Sequence, residues 1–352
     1  MSTPIMSFKY VSYLWDDSKA SELEGNEVAL LLYRSNILGA DLRITNYGGG
    51  NTSCKTIELD PLTKEPVEVM WIKGSGGDIG TLTRSGLAGL YVDKLRSLEG
   101  IYRGIEFEDE MVELFNHCIY DLASKAPSID TPLHGFLPFK HIDHLHPDAA
   151  IAIAASKDGE QITKDIWKGA IAWVPWQRPG FDLGLKLRKA WEKNPGIRGI
   201  MLGGHGLFTW ADTAYDCYIN SLEVIEAASD YLAANYGKKR PVFGGEKVTS
   251  LSPEKRKAQA ALIAPVLRGL TSSEKRMVGT FDDRDTVLQF INSHDLDKLA
   301  PMGTSCPDHF LRTKISPLVL DLAADADLSD TLGLKEKIGA AFESYRQMYA
   351  DY

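Results

Sequence analysis

Two histidines one residue apart, His144-Leu145-His146, and a third inside the run Gly203-Gly204-His205-Gly206 constrain the fold of this chain more than any other feature. Side chains on a strand repeat every two residues, so a His-x-His pair in an extended segment puts both imidazoles on one face. A third histidine carried by a distant glycine turn completes a three-nitrogen cap only if the fold brings the two segments together. Such a cap leaves one or two coordination positions for water or substrate, as in catalytic rather than closed structural zinc sites. The plain alternative is a set of histidines that meet nothing. With only eight histidines in the chain, three in these contexts favour the metal.

The carriers of the histidines fit this expectation. The segment His146-Pro147-Asp148-Ala149-Ala150-Ile151-Ala152-Ile153-Ala154 is small and apolar, and reads as a buried element behind the pair. Ile197–Leu202 and Gly206–Trp210 are apolar runs of strand length. Between them Gly203-Gly204-His205 reads as a tight turn whose glycines admit positive φ. Asp212 or Thr213 then caps a helix of about 24 residues, with Tyr218, Leu222, Ile225 and Leu232 as its buried stripe.

A chain of 352 residues carries ample core for one large domain or two ordinary ones. Lys plus Arg number 39 against 48 Asp plus Glu, a net charge of −9, so the run Lys238-Lys239-Arg240 reads as a solvated helix end and nucleic acid is not an expected partner. Cys54, Cys118, Cys217 and Cys306 lie far apart without C-x-x-C spacing, which fits reduced thiols better than a disulfide frame. No apolar run approaches the ~20 residues a membrane helix needs. Residues 1–9 lack the pattern of a secretory signal, so a cytoplasmic location and no membrane are expected.

Along the chain, helical patterns over 22–38, 87–98, 108–122 and 183–191 alternate with short apolar runs over 67–72, 151–154 and 197–202. This predicts one α/β unit from about Leu23 to Leu232. From Pro241 the character changes. Helical segments over 254–270, 274–277, 286–293 and 334–349 are separated by a loop over 301–307, so a division into 1–240 and a mainly helical 241–352 is expected.

Two glycine-rich turns precede the histidines, Gly48-Gly49-Gly50-Asn51-Thr52-Ser53 and Lys73-Gly74-Ser75-Gly76-Gly77-Asp78. Consecutive exposed backbone N–H groups with Asn and Ser side chains suit a phosphate or carboxylate. Plain strand-connecting turns suit each cluster as well. Neither matches G-x-G-x-x-G before a helix nor G-x-x-x-x-G-K-[ST], so nicotinamide and nucleoside triphosphates have no motif support. Asp130, in Ser128-Ile129-Asp130-Thr131-Pro132-Leu133-His134, stands 14 residues before His144. A carboxylate there can exchange a proton with a carbon made acidic by a neighbouring carbonyl, or it can cap the helix that Thr131-Pro132 opens.

Taken in order, Gly49-Gly50-Asn51-Thr52-Ser53, Lys73-Gly74-Ser75-Gly76, Ser128–His134, His144-Leu145-His146-Pro147 and Gly204-His205-Gly206-Leu207-Phe208 resemble the class II aldolase/adducin family over about Glu27 to Ala234. The His-x-His-Pro and His-Gly combination is specific; the glycine turns alone are not. Asp130–Pro138 and the tail run Gly303-Thr304-Ser305-Cys306-Pro307-Asp308-His309-Phe310-Leu311-Arg312-Thr313-Lys314 are similar to the aldolase half of bifunctional rhamnulose-1-phosphate aldolase/alcohol dehydrogenase proteins. In those proteins a dehydrogenase domain follows, and 241–352 then reads as an extension or a linker toward one.

The resemblance implies a three-layer α/β fold, with a central, mainly antiparallel sheet flanked by helices and a helical C-terminal appendage. It implies one Zn2+ per chain, or another divalent ion, on His144, His146 and His205, and a homotetramer with active sites at subunit contacts. It further implies reversible aldol cleavage of a ketose 1-phosphate. L-rhamnulose 1-phosphate, giving dihydroxyacetone phosphate and L-lactaldehyde, is the leading substrate. Asn51, Gly74, Ser75, Gly76 and Ser128 are the expected substrate-binding residues and Asp130 the expected base. Relatives often carry Glu there, so His134 and Asp143 stand as alternatives. An epimerase or dehydratase on the same metal, or a non-catalytic adducin-like scaffold, are the competing functions.

Overall fold

The structure, a computed structural model, describes residues 7–45, 49–236, 241–307, 313–322 and 327–352. Gly48 of the first glycine cluster, the basic run Lys238-Lys239-Arg240 and Asp308–Arg312 of the C-terminal run lie outside the described residues. The described chain divides into two units. One holds residues up to Asn235 together with a short segment beginning at Ser305; the other holds Tyr236–Thr304 and the chain from Thr313 to Tyr352.

In the first unit seven strands among the described residues form one sheet: β1 (Asn51–Leu59), β2 (Pro66–Lys73), β3 (Leu87–Tyr91), β4 (His141–Leu145), β5 (Ile171–Val174), β6 (Gly199–Leu202) and β7 (Gly206–Ala211). Their spatial order is β3-β2-β1-β4-β7-β6-β5, antiparallel at every pairing except β5 with β6. The flanking helices are α1 (Asp17–Glu22), α2 (Glu27–Gly39), α3 (Val92–Ser97), α4 (Glu108–Leu114), α5 (Thr131–Gly135), α6 (Asp148–Ala154), α7 (Gly159–Trp167), α8 (Phe181–Lys193) and α9 (Ala214–Asn235). This is the three-layer α/β arrangement expected from the sequence.

Register assigns the faces. Asn51 pairs with His144, Ser53 with Ile142 and His144 with Phe208. Directly opposed residues share a face, so Asn51, Ser53, Ile142, His144 and Phe208 lie together under α5 and α8, packed with Leu133, Leu183 and Leu187. The other face carries Leu145 and Leu207, packed against Leu38 of α2, Ile153 of α6 and Leu222 of α9. Fully buried Ile142 and Phe208 each contribute about 1.5–3 kcal/mol to that packing.

Several sequence-derived elements differ from the structure. The helix expected over 22–38 begins only at Glu27, since α1 ends at Glu22 and the chain turns before α2. Asn26 caps α2 by accepting from the Ala29 amide, after Gly25 at φ 80°. The helix expected over 87–98 is strand β3 followed by α3. Both faces of β3 are buried, so it lacks the two-residue alternation of a half-exposed strand. The helix expected over 108–122 ends at Leu114 and continues as a 3₁₀ turn, Phe115–Cys118. The apolar run 151–154 is helical, as α6, with Ala150, Ile151, Ile153 and Ala154 turned inward. Thr213 does cap α9, its Oγ1 accepting from the Asp216 amide.

The second unit is helical. Pro253–Thr271 and a C-terminal helix, Thr331–Asp351, close on a small core of Val266, Leu334 and Ile338. The short helix Asp285–Ile291 is present, whereas 274–277 is a bend and not a helix. Among the described residues no helix is long and apolar enough to cross a membrane.

Candidate metal centre

His144 ends its strand's run of alternating side chains on the α5 face, and His146 follows one residue past β4. His205 sits in the tight turn joining β6 to β7, where Gly204 takes φ 61°. Gly206 is required by contact: a Cβ there would lie 2.5 Å from His146 Cδ2. The three side chains converge. His144 Nε2 stands 3.0 Å from His146 Nε2 and 3.1 Å from His205 Nε2, and all three residues are buried.

The proton positions on His144 follow from its partners. Its Nδ1 lies 3.1 Å from the Leu207 carbonyl, which can only accept, so Nδ1 carries the hydrogen and Nε2 turns a lone pair to the cluster. Burial, then the neighbouring His146 and His205, push His144 well below the usual histidine range and keep it neutral. The ring also stacks on Phe208, 4.2 Å between centroids and 14° between planes. Zinc–imidazole bonds of ~2.0–2.1 Å at tetrahedral angles put neighbouring nitrogens about 3.3 Å apart. The observed spacings lie close to that, so the donor set fits a divalent ion.

On the same face a second set of polar groups surrounds α5. Asn51 Nδ2 donates to Ser128 Oγ at 3.3 Å, and the Asp130 amide donates to the same oxygen at 3.2 Å. The Ser128 hydroxyl therefore points its proton to Asp130 Oδ2, 3.5 Å away. Asp130 occupies the N-cap position of α5, but its side chain makes no capping bond, so the capping alternative is not realised. Lys55, which the sequence reading passed over, pins the other end of α5. Its Nζ donates to the carbonyls of His134, Leu137 and Phe139 at 2.7–3.0 Å. Burial, then the Arg96 charge, push Lys55 down to about 7.

Among the described residues Asn51 Oδ1, Thr131 Oγ1 and His134 Nε2 are buried without a hydrogen-bond partner, all on this side of the sheet or in α5. Buried polar atoms are normally paired, so orphans of this kind mark where a polar ligand gains bonds.

The second glycine turn reaches the same region. The Gly74 amide donates to Gly86 and the Ser75 amide to Ala126, two residues before Ser128. Those two amides are thus committed to the backbone, and the Ser75 hydroxyl and the Gly76 amide are what this turn offers to an anion.

The two alternative bases part company. Asp143 immediately precedes His144 in sequence but points to the opposite face. There it accepts from Arg34 Nε at 2.9 Å, Ser221 Oγ at 3.0 Å and Cys217 Sγ at 3.3 Å. It is a buried ion-pair partner and is removed as a candidate base. His134 does face the site side, with Nδ1 2.8 Å from Ser53 Oγ and its ring edge-on to Phe208. Burial, then the Lys55 charge, push it well below its usual range, so it is neutral.

Comparison with known proteins places these features in context. The family model for the class II aldolase and adducin N-terminal domain matches residues 31–232, and that for the second domain of class II aldolase matches residues 258–352. The uncharacterized oxidoreductase YuxG of Bacillus subtilis is 40% identical over 97% of this chain, and the chain spans about half (49%) of that relative's length. The N-terminal class II aldolase domain of a conserved protein from Thermoplasma acidophilum is 28% identical. The match covers 64% of this chain and 99% of that one, with a TM-score of 0.54.

Proposed function

This chain belongs to the class II aldolase and adducin family, and on that premise we propose that it is a metal-dependent aldolase that reversibly cleaves a ketose 1-phosphate. The observation that carries the proposal is the buried convergence of His144, His146 and His205, with the His144 tautomer fixed so that its lone pair faces the cluster. A non-catalytic scaffold has no use for such a donor set. Three neutral imidazoles suit zinc, with cobalt or manganese as substitutes.

What a divalent ion supplies when bound on these nitrogens is Lewis-acid neutralisation of the negative charge that carbon–carbon cleavage leaves. The protein's own groups do the rest. Asp130 exchanges the proton at the carbon that joins or leaves the aldehyde. Ser128, its hydroxyl turned to that carboxylate, orients it. The Ser75 hydroxyl, the Gly76 amide and Asn51 hold the phosphate, whose fixed charge rewards donors placed on a turn. His134 and Thr131 contribute buried polar atoms beside them for sugar hydroxyls. L-rhamnulose 1-phosphate is the leading substrate, giving dihydroxyacetone phosphate and L-lactaldehyde.

The test is incubation of the purified chain with ketose 1-phosphates and trapping of the released aldehyde, alongside metal analysis. About one divalent ion per chain and an aldehyde product are expected. His146→Ala should abolish both while the fold persists. An epimerised or dehydrated sugar in place of an aldehyde would overturn the aldolase reading, and an unchanged metal content in His146→Ala would overturn the ligand set.

A further inference from the structure

A metal-binding imidazole works through one nitrogen, and the partner of its other nitrogen decides which tautomer and which ring orientation it presents. For His144 that partner is the Leu207 carbonyl. For His146 it includes a residue from far along the chain. Cys306 Sγ lies 3.7 Å from His146 Nδ1, and Cys306 is only 3% exposed. Ser305 through Pro307 belong to the same unit as the sheet, although the residues before them, up to Thr304, belong to the C-terminal unit. A short stretch of the C-terminal region is therefore built into the unit that carries the three histidines.

The geometry excludes direct ligation by this sulfur. Nδ1 and Nε2 lie on opposite sides of the imidazole ring, and His146 Nε2 faces His144 Nε2 at 3.0 Å. A sulfur at Nδ1 stands behind the ring as seen from the nitrogen cluster. With the Nε2 lone pair turned to the cluster, Nδ1 carries the hydrogen, and a thiol sulfur can accept it.

We propose that Cys306 is a positioning residue of the metal centre, accepting from His146 Nδ1–H and holding the ring in the tautomer and orientation that ligation requires. The proposal rests on the metal reading given above. It makes the metal affinity of ligands in residues 144–205 depend on one side chain contributed from beyond residue 300. Outer partners of this kind are worth about 10–100-fold in metal affinity.

The test measures zinc affinity of the full chain by competition with a chelator, for the unmodified protein and for Cys306→Ala and Cys306→Ser, with the melting temperature of each metal-free protein recorded beside it. Cys306→Ala should bind zinc about 10–100-fold more weakly. Cys306→Ser, which keeps a shorter acceptor of similar size, should fall between. A metal-free melting temperature near that of the unmodified protein shows that the loss is local. Zinc bound by Cys306→Ala within twofold of the unmodified protein, or by Cys306→Ser no more tightly than by Cys306→Ala, overturns the proposal. A readout independent of any variant is the visible spectrum of the cobalt-loaded unmodified protein, which should lack a thiolate-to-cobalt charge-transfer band; such a band makes the sulfur a ligand and also overturns it. If the unmodified protein binds no zinc, the metal reading fails, an outcome distinct from equal affinity across the variants.

Discussion

Removing the Asp143 carboxylate separates the two faces of β4 most sharply. Both side chains of the Arg34–Asp143 pair are fully buried, 2.9 Å apart. The remaining guanidinium nitrogens reach His141 Nδ1 at 2.7 Å and the Ser53 carbonyl at 2.9 Å, neither of which carries a compensating charge. Asp143→Ala therefore leaves an uncompensated buried cation, a change that costs about 3–5 kcal/mol. Asp143→Asn keeps an acceptor for Arg34 Nε but loses the charge and turns an amide NH2 toward Ser221 and Cys217, so the cost should drop only to about 1.5–3 kcal/mol, that of a hydrogen bond to a charged group. Urea unfolding followed by tryptophan fluorescence is suited to the question. All seven tryptophans (Trp15, Trp71, Trp167, Trp173, Trp176, Trp191 and Trp210) lie in the sheet-bearing unit and report on it alone. The two variants should shift the midpoint in that order, and folded Asp143→Asn should still exchange the substrate's carbon-bound proton with solvent. A stability loss below about 1 kcal/mol for Asp143→Ala refutes the buried-pair argument. Normal stability combined with lost exchange in Asp143→Asn returns the base to that residue.

Asp130→Asn should do the reverse. Unfolding stability and metal content should stay, while proton exchange between solvent and dihydroxyacetone phosphate, measured without aldehyde, falls by roughly 10²–10⁴-fold; exchange at the original rate would move the base to another group, with His134 next to test. Asn51→Ala should raise KM for a phosphorylated ketose by an amount equivalent to about 1–3 kcal/mol, and equal activity of the unmodified chain on phosphorylated and free sugar would refute a phosphate site. For His141, burial and then the Arg34 charge lower the folded value to about 2. The unfolded chain, titrating near ~6.5, takes up the proton first. The stabilisation is therefore whole above pH ~6.5 and drains as pH falls toward 2, at up to about 1.4 kcal/mol per pH unit. His141→Gln should flatten that slope between pH 7 and pH 5 in paired urea titrations, and an unchanged slope would mean that His141 does not carry it.

The three converging histidines are legible in the sequence because strand periodicity and glycine turns are local properties. His-x-His in an extended segment and His205 between turn-forming glycines needed no knowledge of the partner strands. The elements that were misread depend on tertiary burial. Strand β3 is covered on both faces and pairs with β2 so closely that a Cβ on Gly89 would strike the Trp71 ring. Its run continues directly into helix α3, and a period search across both sees one blurred helix. Helix α6 differs in the opposite way, since after Asp148 its six remaining residues are small or apolar and give no polar face to reveal a helical period. Asp143 looked like a candidate base because it adjoins His144 in sequence, yet adjacency along a strand means opposite faces. Cys306 stands in the tail run that carries the resemblance, but nothing in the sequence points to its contact with His146, which spans 160 positions.

That opposition of faces also bears on how the site is kept in register. A one-residue slip of β4 against β1 and β7 would turn His144 toward Arg34 and Asp143 toward Ile142's present neighbours, Leu133, Leu183 and Phe208. The slipped form would strand a carboxylate in an apolar layer and leave a buried guanidinium facing an imidazole. Each of those losses costs several kcal/mol. The Arg34–Asp143 pair thus penalises a misalignment that would disperse the three converging imidazole nitrogens, even where its net contribution to stability is small. Variants that replace both residues with apolar side chains of matching volume separate the two effects. Stability should then be nearly restored relative to Asp143→Ala, while zinc affinity stays high only if the apolar packing of Ile142 and Phe208 suffices to hold the register. A double variant that is stable yet binds zinc weakly assigns the register to the ion pair; one that is stable and binds zinc as tightly as the unmodified chain assigns it to the packing.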